Sequence, residues 1–298
     1  MNKTSYEKLN EINLEFFENA RNSLLDPLGI EISNDVKWIK LNEKWNHSKT
    51  PVVIGGRGDP LILLHGFDSS FLEFRRIYPL LKKNFQVIIP DLLGFGFSPR
   101  YATNEYTSSK IVLHLLDIID NLNITEKLKL VGASMGGSTA IKLSVEIPKL
   151  IEKLILLSPA GLFGEPKNIP FPLNQIGASF LGLPQVRKLL CRQAFAFPDN
   201  CVGEMEEQIA SIHLGCNGWR NSLASFAKSG GFAGTKKYIE DIQIKTICGE
   251  NDRILGKKEL NNIKNIEKLN FTGLKNCGHL PHVDLPNLCS KIINDYFN

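Results

Sequence analysis

The segment Leu128-Lys129-Leu130-Val131-Gly132-Ala133-Ser134-Met135-Gly136-Gly137 carries a serine between an apolar run and a small-residue turn. The five-letter match G-x-S-x-G is common by chance, so its context decides. A buried strand is expected to end just before Ser134 and a helix to begin just after it. That strand–turn–helix setting presents a serine hydroxyl as a nucleophile. Gly132 and Gly136 are required there because the turn leaves no room for Cβ atoms beside the serine backbone. A helix N-terminus at Ser134 favours developing negative charge. The competing reading is a helix-capping serine.

A serine hydroxyl needs a base. Of the six histidines, His279 stands in Asn276-Cys277-Gly278-His279-Leu280-Pro281-His282, a loop after the expected last strand, Glu267 to Phe271. Sites assemble in loops at the carboxyl ends of parallel strands. His282 is its rival in the same loop. His114 lies in a helix pattern, and His47 and His213 lack any motif. Cys277-x-His279-x-x-His282 lacks the second cluster of a metal site, so no metal is expected. The residue that orients the imidazole is expected to be Asp252, in Gly249-Glu250-Asn251-Asp252, with Glu250 as competitor. The chain order Ser134, Asp252, His279 is that of the α/β-hydrolase triad.

Acyl transfer also needs donors for an oxyanion. Met135 N–H is one candidate and Phe67 N–H, in Leu64-His65-Gly66-Phe67-Asp68, is the other. His65 is expected to fix that loop rather than to move protons. Pro90-Asp91-Leu92-Leu93-Gly94-Phe95-Gly96-Phe97-Ser98 resembles a dinucleotide loop only superficially, because position 99 is proline where a third glycine would stand. Asp91 and Ser98 are expected to lock loops that frame the site.

These residues need elements to position them. Residues 5–26 show Leu9, Ile12, Phe16, Ala20 and Leu24 at helical spacing, with Pro27 and Gly29 as the stop. Strands are expected at Val36–Leu41, Leu61–Leu64, Phe85–Ile89, Lys127–Val131, Leu154–Leu157 and Lys245–Ile247. Helices are expected at Tyr106–Leu122 and Met135–Ile147. Short apolar strands alternating with helices imply an α/β fold: a mostly parallel, twisted sheet covered on both faces. Residues 159–239 break the rhythm with Pro170, Pro172, Pro184 and Pro198 and show no strand pattern. They read as an inserted helical cap. The expected organisation is a lead-in at 1–30, a core at 31–158 and 240–298, and the cap at 159–239.

Composition sets the bounds. The chain has 298 residues, 43% hydrophobic and 22% charged, which excludes a disordered chain. Net charge is only +4 and the basic residues are dispersed, so no nucleic-acid partner is expected. The amino terminus lacks the apolar stretch of a secretory signal, and no run reaches the length of a membrane helix. Six cysteines are too sparse for a disulfide scaffold. A reducing cytoplasm with free thiols is the expectation.

Taken together, His65-Gly66, Asp91-x-x-Gly94-x-Gly96-x-Ser98, Gly132-x-Ser134-x-Gly136-Gly137, Gly249-x-x-Asp252 and Gly278-His279 resemble the α/β-hydrolase superfamily over residues 35–158 and 240–298. The motifs specify the fold, not the substrate. The chain is similar to the capped group that holds carboxylesterases, meta-cleavage-product (carbon–carbon) hydrolases, epoxide hydrolases and haloalkane dehalogenases. The last two use an aspartate nucleophile where this chain has Ser134. Proline iminopeptidases usually have tryptophan where it has Met135. The meta-cleavage hydrolases generally have a Gly-Pro-Gly-like segment where it has Phe67-Asp68-Ser69-Ser70.

The apolar cap residues, with Phe171, Phe180 and Trp219 as candidate substrate contacts, point to a neutral, lipophilic carbonyl compound such as an ester. The resemblance implies no cofactor and a small-molecule substrate. Carbon–carbon hydrolysis is the alternative, as is a ligand-sensing receptor on a hydrolase fold. Oligomeric state is not readable from the sequence.

Overall fold

Short apolar runs bounded by turn residues become the strands of one sheet. The computed structural model describes residues 3–45, 48–100, 105–239 and 242–298. His47, and the expected boundary at residue 240, lie outside them. The strands are β1 (Val36–Lys40), β2 (Lys49–Gly55), β3 (Pro60–Leu64), β4 (Gln86–Pro90), β5 (Leu128–Ala133), β6 (Ile151–Leu157), β7 (Gln243–Gly249) and β8 (Phe271–Leu274). Their order in the sheet is β1-β2-β4-β3-β5-β6-β7-β8. β1 and β2 pair antiparallel, as do β2 and β4; every other neighbouring pair is parallel.

All five residues of β3 and all six of β5 are buried, as strands covered on both faces must be. Their side chains alternate between two cores. Leu61, Leu63, Val131 and Ala133 enter one; Ile62, Leu64, Leu128 and Leu130 enter the other. The first core is covered by α1 (Lys3–Asn22), α2 (Pro27–Asn34) and the short α3 (Tyr78–Leu81). The second lies under α4 (Ser108–Asn121) and α5 (Met135–Glu146).

After β6 the chain leaves the sheet. It forms α6 (Leu173–Leu181), α7 (Pro184–Ala194), α8 (Pro198–Cys201), α9 (Glu204–Ile209) and α10 (Trp219–Lys228) before returning at β7. No strand occurs in this stretch among the described residues. α11 (Gly256–Lys264), α12 (Pro281–Asp284) and α13 (Pro286–Phe297) complete the chain, and α13 joins the first core through Ile293 and Phe297.

Three expectations need correction. Pro27 does not stop α1, which already ends at Asn22; it is the first residue of α2, whose N-cap Asp26 accepts from Leu28 N (2.9 Å) and Gly29 N (3.4 Å). Proline suits that position because its missing N–H has no helical partner to lose. The last strand is Phe271–Leu274, later than expected, because Glu267–Leu269 is a turn of 3₁₀ helix and Asn270 takes a φ of +40°. β2 was not foreseen. Its sequence, Lys-Thr-Pro-Val-Val-Ile-Gly, interrupts a short apolar run with proline and glycine, the residues that usually demote a strand.

Candidate active site

Strand register brings the chemistry together before any side chain is considered. Leu64 of β3 lies beside Gly132 of β5. The His65-Gly66-Phe67 and Ala133-Ser134-Met135 segments therefore leave the sheet side by side. β7 and β8 end at Gly249 and Leu274 on the same side, and the loops that follow carry Asp252 and His279.

The turn at Ser134 is as tight as the sequence requires. A Cβ on Gly132 would come within 2.3 Å of Gly136 O, and one on Gly136 within 2.1 Å of Leu64 O. Ser134 has φ +52° and ψ −119°, a strained conformation for a side-chain-bearing residue. It makes no side-chain cap on α5. Its Oγ is instead 2.9 Å from His279 Nε2, and His279 Nδ1 is 2.8 Å from Asp252 Oδ2. Asp252 Oδ1 accepts from Ile254 N (2.8 Å) and Leu255 N (2.9 Å). Burial opposes the charge on Asp252, but the His279 ring and these amides outweigh it and hold the carboxyl below its usual range. Such a carboxylate orients an imidazole and stabilises its cation.

His65 is buried. Its Nδ1 is 2.8 Å from Gly66 O and its Nε2 accepts from Leu92 N (3.0 Å). With one nitrogen accepting, the other donates, so the ring is neutral; burial drives its pKa down to about 4. It ties the β3 loop to the β4 loop. Asp91 accepts from Phe71 N and Phe97 N, each at 2.6 Å, and Ser98 Oγ donates to Asp91 O (2.8 Å). An ideal Cβ on Gly66 would lie 3.3 Å from Ser134 Cβ, so the Phe67 amide follows directly on the backbone beside the serine. Met135 opens α5 next to it.

A cavity of about 270 Å³ opens onto Ser134 and His279, near the lower end of small-molecule sites. Gly66, Phe67, Leu181, Leu190, Phe195 and Leu280 give it apolar walls. Phe171, Phe180 and Trp219 are not among its lining residues. Phe171 is 78% and Phe180 57% exposed, whereas Trp219 is buried. Aromatic character in an apolar-rich segment does not tell an inward face from an outward one.

Two acidic residues that the sequence reading did not single out shape this cavity. Asp68, at φ +49°, follows Phe67. Its carboxylate takes Arg187 Nη1 (2.5 Å) and Trp219 Nε1 (2.8 Å) and is 3.2 Å from His213 Nε2. Burial opposes ionisation, but these partners bring its pKa down to about 2. Asp68 thus pins the Phe67 loop to α7 and α10. Glu73 accepts from Gly66 N (3.1 Å) and is 3.2 Å from His282 Nε2. The one available signal was the presence of two carboxylates in the segment that follows Phe67.

The helical stretch is also fastened to the histidine loop. His279 N–H donates to Ala194 O (2.8 Å), and Arg253 Nη2 to Phe195 O (2.5 Å). Cys191 lines the cavity, but burial pushes its thiol up to about 11, which leaves it unreactive near neutrality. Among the described residues no group of three or more His, Cys, Asp or Glu could hold a metal ion, and no helix is long and apolar enough to cross a membrane.

Known proteins share this fold. A family model described as the alpha/beta hydrolase fold matches residues 59–199. The chain is 29% identical over 249 residues to the alpha/beta hydrolase domain-containing protein VTE7 of Arabidopsis thaliana, spanning 80% of this chain and 73% of that one. It is 27% identical over 217 residues to the 2-hydroxy-6-oxo-6-(2'-aminophenyl)hexa-2,4-dienoic acid hydrolase of Metapseudomonas resinovorans, spanning 70% and 72%. The solved meta-cleavage product hydrolase of Pseudomonas fluorescens IP01 superposes with a TM-score of 0.72 at 23% identity, covering 88% of this chain and 97% of that one. At that identity the structural likeness speaks for the fold alone.

Proposed function

The chain belongs to the α/β-hydrolase superfamily, and from that premise we propose that it is a serine hydrolase acting on a small, neutral, mostly apolar carbonyl compound through an acyl-enzyme. The observation that carries this reading is the series Ser134 Oγ, His279, Asp252, with links of 2.9 and 2.8 Å at the mouth of an apolar cavity. His279 Nε2 takes the Ser134 proton as Oγ attacks the carbonyl carbon. Met135 and Phe67 amides stabilise the oxyanion. The leaving group departs with the proton from His279. Water then adds to the acyl-enzyme, giving a proton to His279, and Ser134 recovers it as the acid leaves.

The charges around the cavity favour a neutral substrate. Arg75 and Arg187 line it, but Arg187 is held by Asp68, and Arg75 by Asp26 and Glu206. Asp68, Glu73 and Glu206 outnumber these two cations, so no spare guanidinium faces an anionic ligand. In this reading the helices of 159–239 act as a cap that closes the cavity over the triad.

Carbon–carbon hydrolysis is the second reading, favoured by the likeness to proteins named for acting on dienoic acids. Their substrates carry a carboxylate, and among the described lining residues both guanidinium groups are already paired. An aryl-ester series compared with a vinylogous diketone acid separates the two, and the esters are expected to turn over faster.

The direct test is fluorophosphonate labelling followed by intact mass. One adduct is expected on the wild type and none on Ser134→Ala, with kcat in that variant lowered on the order of 10⁶-fold. A loss of only a few-fold would refute the nucleophile assignment.

A further inference from the structure

Helix α6 is apolar on the side where a surface helix is normally polar. Leu173, Ile176 and Phe180 follow one another at spacings of three and four, and each is more than half exposed; Phe171, just before the helix, is 78% exposed. The inner side of the same helix reaches the cavity through Leu181. α6 is therefore a single apolar layer between the outside and the site. Isolated exposed apolar residues need no explanation, but a contiguous row marks a contact surface.

The stretches that flank this row are mostly basic, with exposed Glu165 two residues before Lys167 as a carboxylate beside them. α6 itself has no charged residue. Residues 166–198 contain Lys167, Arg187, Lys188 and Arg192 and no carboxylate, and residues 208–239 contain no carboxylate either. Arg187, Lys188 and Arg192 are paired with Asp68, Glu207 and Asp199. Exposed Arg220, on α10, joins Phe171, Pro172 and Ile176 around a shallow hollow between α6 and α10. Ile169 N–H donates to Ala227 O (3.1 Å), which brings the Lys167 segment to the end of α10 where Lys228 stands. Both lysines are exposed.

We propose that this face, the α6 row with Arg220, Lys167 and Lys228 at its rim, docks on an anionic phospholipid surface. Aliphatic and aromatic side chains with a predominantly basic fringe are the composition of a helix that lies in a membrane interface. A second copy of the chain is a poorer occupant. A two-fold contact sets the same patch against itself, and that brings the cationic rim against its own image, whereas anionic headgroups complement it. The inference concerns the outer face of α6 and does not depend on the catalytic reading.

The test is sedimentation of the full chain with sucrose-loaded vesicles of phosphatidylcholine alone or with roughly one third phosphatidylglycerol. Ser134→Ala is measured in parallel, so that binding is read without turnover. The wild type is expected to partition onto the anionic vesicles, less so in high salt. Leu173→Ser with Ile176→Ser is expected to reduce partition more than about tenfold, and Arg220→Gln about fivefold. Both variants are expected to melt at the wild-type temperature, which separates lost binding from lost folding. Absence of partition in the wild type, or partition that Arg220→Gln and the double variant leave intact, overturns the proposal. So does a dimer, seen by sedimentation equilibrium, that the double variant dissociates.

Discussion

At residue scale Asp68 is one buried carboxylate that serves Arg187, Trp219 and His213 at once. Removing it leaves a buried guanidinium without its counter-charge. Asp68→Ala is therefore expected to cost about 3–5 kcal/mol in urea unfolding. Asp68→Ala with Arg187→Leu is expected to recover about 2 kcal/mol, because the stranded charge goes too; equal losses in the single and double variants would show that the pair is not coupled. His114 gives a pH dependence. It packs edge-on against Trp45 at 5.3 Å, and burial, then Lys44, drive its pKa down to about 3. The unfolded chain binds this proton below pH 6.5 and the folded chain does not, so the contribution is complete above 6.5 and is lost as pH falls towards 3. Asp91 works in the opposite sense: burial raises its pKa to about 7, so it favours the folded state as pH falls from 7. Comparing His114→Phe with the wild type isolates the histidine. The stability difference between pH 7 and pH 5 is expected to shift by about 2 kcal/mol.

Turns and strand ends carry the next level. Ser134, His279 and Asp252 were legible because each stands just past an apolar strand in a glycine-bearing loop, and a parallel sheet puts such loops at one end. The same logic anticipated the structural role of His65, whose ring ties the β3 loop to the β4 loop. It did not find the cavity walls, because which side of α6 or α7 faces inward depends on how five helices stack, and local periodicity carries no record of that. Phe171 and Phe180 show this: their outward direction is set by the packing of α6 on α10. β2 was hidden for a different reason. Its place comes from antiparallel pairing with β1 and β4, and those contacts outweigh the strand-breaking character of Pro51 and Gly55. The nucleophile turn itself is predictable in detail. In Gly136→Ala the new methyl would meet the Leu64 carbonyl, and both belong to rigid elements. The expected result is a loss of about 3 kcal/mol together with loss of fluorophosphonate labelling. A variant that labels at the wild-type rate would mean that β3 and α5 can part without disturbing Ser134.

At the scale of the whole molecule the sheet carries a core on each face, and α1 belongs to the architecture of one of them. Phe17 of α1 makes edge contacts with Trp38 (5.8 Å), Phe71 (6.2 Å) and Phe97 (5.3 Å). Trp38 lies on the edge strand β1, Phe71 in the loop after β3, and Phe97 in the loop after β4. One helix thus seals the antiparallel edge and braces the two loops that Asp91 holds through Phe71 N and Phe97 N. Phe16 of the same helix reaches Phe97 at 6.3 Å. Removing the Phe17 ring takes away a fully buried aromatic and leaves a hole bounded by three others, so Phe17→Ala is expected to cost about 3–5 kcal/mol. The loss should not stay local. Phe71 and Phe97 stand at the two ends of the Asp91 clamp, and the Phe67 amide lies on the loop that Phe71 closes. Ester turnover by Phe17→Ala is therefore expected to fall at temperatures well below its own unfolding midpoint, and Phe17→Leu, which refills most of the volume, to restore it. If both variants keep wild-type turnover up to their melting temperatures, α1 stabilises the sheet without bracing the site.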